Sequence, residues 1–219
     1  MAEPAAPARY LDLERWPRRA SFEYFRRYDK PFFNVCMRVD VAALKAALDG
    51  RSSLIVACHW LALHLAREVE PFCWRIEGDR VRIHDAVHAS TTVLQDDGAI
   101  GFARLAYTPR FADFAGPATA EIARLRQPQP FAPLDADTAV LHFTTLPWLH
   151  FTSFSHARNW GREDSIPKIA FGRYDADGPH LWMPLSVEVH HGLMDGLHVG
   201  LYVQAFEAAL ANPAPWLAA

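Results

Sequence analysis

The sequence predicts an α/β fold, a two-layer sandwich in which a mixed β-sheet is covered by helices. Three observations predict it. Segments that alternate apolar and polar residues, the mark of a half-buried strand, recur through most of the chain. Between them lie apolar runs at helical spacing, at 40–48, 54–69 and 111–126, and another from about 196 to 210. Helices interspersed among strands need a second layer to bury their apolar stripes, and the sheet supplies it. With 219 residues, 51% hydrophobic and 21% charged, the chain suffices for one well-buried core. No repeat or interdomain linker divides it, so residues 10–219 read as one domain and the Ala/Pro-rich residues 1–9 as a mobile N-terminal tail.

In order along the chain, Ser21 opens a short helical pattern with Phe22, Phe25 and Arg26 at helical spacing. Residues 32–39 set Phe33, Val35, Met37 and Val39 against more polar positions and read as a strand. Asp40 looks like the cap of a helix through Leu48 that closes at Gly50. Residues 54–69 form a second, largely apolar helix. Gly78-Asp79 between the runs 74–76 and 81–83 is a hairpin signal. Strands are expected at 90–95 and 102–107, then a helix over 111–126 with Phe111, Phe114, Ile122 and Leu125 inward. A proline-rich loop at 127–133 leads to strands at 139–144, 148–155, 168–174 and 181–190.

Composition excludes several classes of function. The net charge is −3 and no basic run exceeds the pairs Arg18-Arg19 and Arg26-Arg27, so no nucleic-acid footprint is present. Cys36, Cys58 and Cys73 are odd in number, lack Cys-x-x-Cys spacing and sit among apolar neighbours, which suits core residues in a reducing compartment. His59 and His64 have no acidic or thiol companion to complete a metal geometry, and no metal is expected. The N-terminus lacks an apolar signal core and no segment has membrane-spanning length, so a cytoplasmic protein without a membrane partner is expected.

The chemistry concentrates in Val189-His190-His191-Gly192-Leu193-Met194-Asp195-Gly196-Leu197-His198-Val199. A strand delivers two histidines to a glycine-punctuated turn, and a helix leaves from the other side. An imidazole takes and returns a proton near neutrality, and a strand end gives it a rigid support. A plainer reading stands beside this one. Eleven histidines make some clustering unsurprising, and Asp195 could simply cap the following helix.

The extended pattern, His-His-x-x-x-Asp-Gly followed by Leu197-His198-Val199-Gly200, resembles the active-site signature of the chloramphenicol acetyltransferase family. The likeness runs from about Tyr10 to Leu210, through Trp16 to Phe22, Asp40 to Leu44, Arg75, Asp85 to Val87, Leu146-Pro147-Trp148, Ser153-Phe154 and Met183 to Val187. It implies the fold of CoA-dependent acyltransferases and a homotrimer with active sites between subunits. It also implies transfer of acetyl from acetyl-CoA, as co-substrate, to a hydroxyl of chloramphenicol or a related aromatic alcohol.

By that resemblance His191 is the general base, its tautomer held by its own backbone, and Thr144 supplies the oxyanion's hydroxyl where the family has serine. Arg18, in a Trp-x-Arg with Trp16, pairs with Asp195 and fixes the turn. Tyr174, Trp148 and Arg173 line the cofactor side, and Tyr24, Phe25, Phe102, Phe131, His142, Phe154 and His156 the acceptor pocket. The chain departs from the family at several of these places. Ala170 stands where a water-holding threonine is expected and Leu54 where a lysine near the cofactor phosphate is, with Arg51 or Arg173 as substitutes. Tyr24-Phe25 inverts an aromatic pair, while Asp29, His142 and His156 add polarity to the pocket. Such groups penalise an apolar acceptor that leaves them unpaired. The alternatives are an acyltransferase of this fold with another acceptor, of the dihydrolipoyl acyltransferase or condensation-domain kind, and a non-catalytic small-molecule-binding relative.

Overall fold

A computed structural model of the chain describes residues 8–133, 137–158 and 163–218. It begins with β1 (Arg9–Tyr10), α1 (Arg19–Phe25), β2 (Phe32–Asp40), α2 (Ala42–Leu48) and α3 (Leu54–Glu68). A 3₁₀ turn (Glu70–Cys73) leads into β3 (Trp74–Glu77), β4 (Arg80–Ile83), β5 (His88–Leu94), β6 (Ile100–Leu105) and α4 (Phe111–Arg126). The chain closes with β7 (Val140–Leu146), β8 (Lys168–Gly172), β9 (Asp175–Asp177), β10 (His180–His190), α5 (Gly196–Ala211) and α6 (Ala214–Leu217).

The main sheet runs β2-β10-β8-β7-β5-β6, with β9 also on β10. Pairs β5–β7 and β7–β8 are parallel and the others antiparallel, so the sheet is mixed, as expected. A small sheet, β1-β4-β3, stands apart. Along β10, Met183, Leu185, Val187 and Val189 join one buried apolar cluster with α2, α3 and α5. On β7 and β8, Phe143 and Phe171 face the same layer and meet the His59 ring of α3 at 4.7 and 5.9 Å. Alternation turns Ser186, Glu188 and His190 to the opposite face, together with Lys168, Ala170, His142 and Thr144. That second face carries the polar residues.

Local chemistry explains the element ends. Asp40 Oδ1 accepts from the backbone N–H groups of Ala42 and Leu181, both at 3.0 Å, starting α2 and tying it to β10. Asp49 (φ 46) and Gly50 (φ 72) end α2 in the left-handed region, the usual helix stop. Gly78, at φ 58, makes the β3–β4 hairpin.

Several expectations need correction. Residues 148–155 form no strand. Because β7 and β8 run parallel, the chain leaving Leu146 must travel back along the sheet before β8, and this segment is part of that return. The strand expected at 139–144 runs from Val140 to Leu146 and so contains Thr144 inside it, whereas β8 stops at Gly172 and leaves Arg173 and Tyr174 in the following loop. The first helix starts at Arg19 rather than Ser21. Of the expected mobile tail, residues 1–7 lie outside the described residues, while Arg9 pairs with Ile83 in β1. Cys58 and Cys73 are buried, but Cys36 is only half-buried. Among the described residues no helix is long and apolar enough to cross a membrane.

Candidate active site

β10 ends at His190, and the two histidines meet different fates there. His190 is 3% exposed; its Nδ1 accepts from the Gly192 N–H at 3.1 Å, and its ring stands edge-on to Phe32. Burial, then the nearby Arg158 charge, push its pKa down to about 4, so it is neutral and structural. Gly192 suits this close packing, since a Cβ there would lie 3.0 Å from the His190 ring and press on it.

His191 lies in the turn and is half-buried. Its backbone N–H donates to the Pro31 carbonyl at 2.6 Å, and its Nδ1 lies 3.1 Å from the Met194 carbonyl oxygen. A carbonyl can only accept, so Nδ1 carries the ring proton and Nε2 keeps its lone pair. The tautomer is thus held by backbone, as the resemblance implies, but the carbonyl belongs to Met194 and not to His191 itself. The turn explains this: Leu193 and Met194 both donate to the His190 carbonyl, which curls the chain back over the ring. Phe25 stacks on the imidazole, centroids 3.8 Å apart and planes within 15°, and Phe33 lies at 4.9 Å.

Asp195 serves both of its expected roles. It caps α5, Oδ1 accepting from the Leu197 N–H at 3.1 Å, and its Oδ2 accepts from Arg18 Nη1. His198 Nδ1 lies 2.8 Å from Asp195 Oδ1 and 3.3 Å from Arg18 Nη1. Burial pushes the Asp195 pKa up, but the His198 hydrogen bond, Arg18 and the Leu197 N–H outweigh it, and the carboxyl stays below its usual range. The hydrogen bonds of Asp195 go to Arg18, Leu197 and His198, and none to His191. Trp16 packs on Phe22 and Trp74, holding the segment that carries Arg18.

The expected acceptor residues fall into separate groups. Tyr24 joins Phe25 at 5.1 Å beside His191, and Tyr28 donates to the Tyr24 hydroxyl at 2.7 Å. On the polar sheet face, Thr144 stands level with Ala170, and His142 with Lys168 and Ser90. Phe102, on the far strand of that face, meets Phe131 at 5.4 Å. Phe154 packs edge-on to His156 at 4.7 Å, and His156 accompanies Glu188. On the expected cofactor side, Trp148 is 59% and Tyr174 38% exposed. The loops carrying them touch, for Arg173 N–H donates to the Leu149 carbonyl at 2.8 Å. The Arg173 side chain pairs with Asp175 at 3.1 Å, and Arg51 donates to the α2 carbonyls of Ala47 and Leu48, so both candidate substitutes already have partners.

His191 and Thr144 do not meet within one chain. Thr144 is level with Ala170 and hence with Ser186, four residues before His190 on β10 and two strands away. At ~3.3 Å per residue and ~4.8 Å per strand, the His190 and Thr144 backbones are roughly 16 Å apart, and His191 lies one residue further on.

A buried ionic cluster beneath the return segment escaped the sequence reading. Glu188 accepts from Arg158 Nε at 2.6 Å and from the His156 N–H at 3.3 Å. Arg158 also bonds Asp164 at 2.7 Å and lies over the Phe32 ring, and Lys168 lies 3.5 Å from Asp164. Burial pushes the Glu188 pKa up, but His156 and Arg158 pull it down to about 2. Burial, then Lys168, push the His142 pKa down to about 4. The available signal was Glu188 itself, a carboxylate inside an otherwise apolar strand, which demands a cation nearby.

This architecture, helices on one face of a mixed sheet and a histidine turn at the end of its longest strand, is that of CoA-dependent acyltransferases. A solved chloramphenicol acetyltransferase superposes with a TM-score of 0.84 at 23% identity, over 93% of this chain and 100% of the other. The dihydrolipoamide acetyltransferase of Azotobacter vinelandii shares the fold, with a TM-score of 0.71 at 15% identity over 99% and 94% of the two chains. The chloramphenicol acetyltransferase family model matches residues 8–207, and the chain belongs to that family. The chloramphenicol acetyltransferase of Streptomyces acrimycini is 33% identical over 217 residues, covering 94% of this chain and 96% of that one. The protein is therefore an acyltransferase, of a family that uses acetyl-CoA and acts on small-molecule alcohols.

Proposed function

We propose that the protein is a cytoplasmic O-acetyltransferase that moves acetyl from acetyl-CoA to a hydroxyl of chloramphenicol or a related aromatic alcohol. The observation that carries this reading is the Met194 carbonyl on His191 Nδ1, which leaves Nε2 as a base beside two aromatic rings. Nε2 takes the alcohol's proton as its oxygen bonds to the thioester carbonyl carbon, because an alcohol attacks poorly while it keeps that proton. Thr144 Oγ1 donates to the resulting oxyanion. When that oxygen reforms the carbonyl, the C–S bond breaks, and the thiolate takes the proton back from the imidazolium. The products are the acetyl ester and CoA. Trp148 and Tyr174, exposed beyond the ends of β7 and β8, line the cofactor side.

In one chain the backbones of His191 and Thr144 are more than roughly 16 Å apart, too far for base and oxyanion donor to act on one carbonyl. The working unit is then a homotrimer in which His191 of one chain faces Thr144 of the next. With chloramphenicol as acceptor, the reaction would confer resistance to it. His142 and the unpartnered Nε2 of His156 favour a second reading, an acceptor more polar than chloramphenicol, because an apolar body would leave such nitrogens unpaired.

A thiol-release assay with acetyl-CoA and a panel of aromatic and aliphatic alcohols tests both readings. Turnover of chloramphenicol at rates above all other panel members supports the first. Faster turnover of polar hydroxyl compounds supports the second, and no thiol release with any alcohol rejects the enzymatic reading.

A further inference from the structure

On β7, His142 lies two residues before Thr144 and on the same face of the sheet, roughly 7 Å along the strand. Its ring is half-buried, and among the described residues no group hydrogen-bonds it. His156, by contrast, has Nδ1 committed to Glu188 at 3.3 Å and Nε2 buried. Burial, then Lys168, push the His142 pKa down to about 4, so near neutrality its ring offers one N–H donor and one lone pair. A bound substrate that covers such groups without pairing them forfeits their hydrogen bonds to water.

The charges around His142 are already paired. Arg158 meets Glu188 at 2.6 Å, Lys168 lies 3.5 Å from Asp164, and Arg104 meets Asp137 at 2.7 Å. A carboxylate or ammonium group on the acceptor would have to compete for a counter-charge in use, so an uncharged acceptor suits this face. The walls are aromatic. Phe151 packs over Gly172 of β8, where a Cβ would meet its ring at 3.1 Å, and Phe154 lies 5.5 Å from Phe151. On the other side of β7, Phe102 meets Phe131, which is 73% exposed. Such walls take the C–H face of a saturated ring as readily as a flat aryl body, but only the first can carry hydroxyls around its rim. A hydroxyl both donates and accepts, so it matches either nitrogen of His142. Sugars and related cyclic polyols combine the two features.

We infer that the acceptor is an uncharged polyol of the carbohydrate type, one hydroxyl being acetylated beside Thr144 and a second bonding the His142 ring, which makes His142 the residue that selects the acceptor. This rests on the second of the two readings above and names its substrate class. The roughly 7 Å between the two residues is a span that one six-membered ring bridges from hydroxyl to hydroxyl. The chemistry is unchanged. The reacting oxygen loses its proton to His191 of a neighbouring chain and gains the acetyl group, the C–S bond breaks, and CoA leaves as the thiol.

Thiol release from acetyl-CoA by the full chain tests this with methyl glucopyranoside, cyclohexylmethanol and chloramphenicol as acceptors. Cyclohexylmethanol has the same ring size and primary hydroxyl but no other polar group. The glycoside is expected to exceed it by at least about 100-fold in kcat/KM, since a site built to bond a hydroxyl penalises an analogue without one, and to exceed chloramphenicol as well. His142→Leu should lower kcat/KM for the glycoside at least about tenfold and raise it for cyclohexylmethanol. His142→Asn, which keeps a donor and an acceptor, should retain most of the preference. A wild-type preference for chloramphenicol or cyclohexylmethanol, or an unchanged preference in His142→Leu, overturns the assignment. Saturation-transfer NMR with methyl glucopyranoside separates this failure from failure of the reaction. Binding that His142→Leu abolishes, with no thiol release from any alcohol, supports the polyol site and rejects acetyl transfer. Neither binding nor release rejects both.

Discussion

The turn that carries His191 and the sheet face that carries Thr144 are built by different means. The turn is made from residues close in sequence: the Met194 carbonyl orients the imidazole, Gly192 admits His190, and Asp195 caps the next helix. Its distant supports come from the N-terminal segment: Arg18 pairs with Asp195, Pro31 accepts from the His191 N–H, and Phe25 stacks on the ring. The sheet face depends on distant residues, with His142, Lys168 and Glu188 brought level by strand register and braced by Arg158 from the return segment. A proton-transfer group must be held to a fraction of an ångström, which short-range backbone contacts do well. A binding face tolerates variation, and long-range ion pairs let its polarity change without altering the fold.

Removing the base from the turn should have the largest effect. His191→Ala is expected to lower kcat by roughly 10²–10⁴-fold, the contribution of one positioned proton transfer, with an unchanged melting temperature. Undiminished turnover would mean the base lies elsewhere. On the other region, Thr144→Ala should lower kcat on the order of 10²-fold with little change in KM, and Thr144→Ser should restore it. Equal losses in both variants would show that the side chain's shape matters rather than its hydroxyl.

The two regions should also separate in stability. Glu188→Gln leaves Arg158, whose side chain is 3% exposed, without its full counter-charge, and should cost about 3 kcal/mol in denaturant unfolding. Asp195→Asn keeps a capping side chain and loses only a half-exposed ion pair, so it should cost less than about 1 kcal/mol. If the second variant proved the more damaging, the turn and not the sheet face would hold the more strongly coupled charges.

Acid should act mainly on the buried residues. His59, His142 and His190 have pKa values pushed from the ordinary 6.5 to about 4, so between those pH values the unfolded chain binds protons that the folded one refuses. Stability therefore falls as pH drops from 6.5 towards 4. Glu188, whose pKa is lowered from 4.5 to about 2, contributes stability above 4.5 that is lost across that lower window. A melting temperature flat from pH 6.5 to 4 would show that these rings are protonated in the folded state.

The same contrast governs what could be read from the sequence. Helices and strands with clean periodicity fell within a few residues of expectation, and the 111–126 helix matched at both ends. The histidine turn was legible because its makers are adjacent: glycine, a capping aspartate, and a strand leading in. Its partner Arg18 was reached only through family resemblance, since no local pattern links positions 177 residues apart. Residues 148–155 were misread as a strand because their aromatics mimic β-composition, while the parallel β7–β8 pairing that forces a return segment is invisible locally. The Arg158–Glu188 pair was missed for the same reason, although the lone carboxylate in β10 pointed to it.

Co-refolding two inactive variants, His191→Ala and Thr144→Ala, tests most directly whether the two regions meet across a subunit boundary. Random assembly should create intact pairings at about a quarter of the interfaces and restore turnover to a comparable fraction of wild type. A mixture no more active than the variants alone would contradict a site shared between chains.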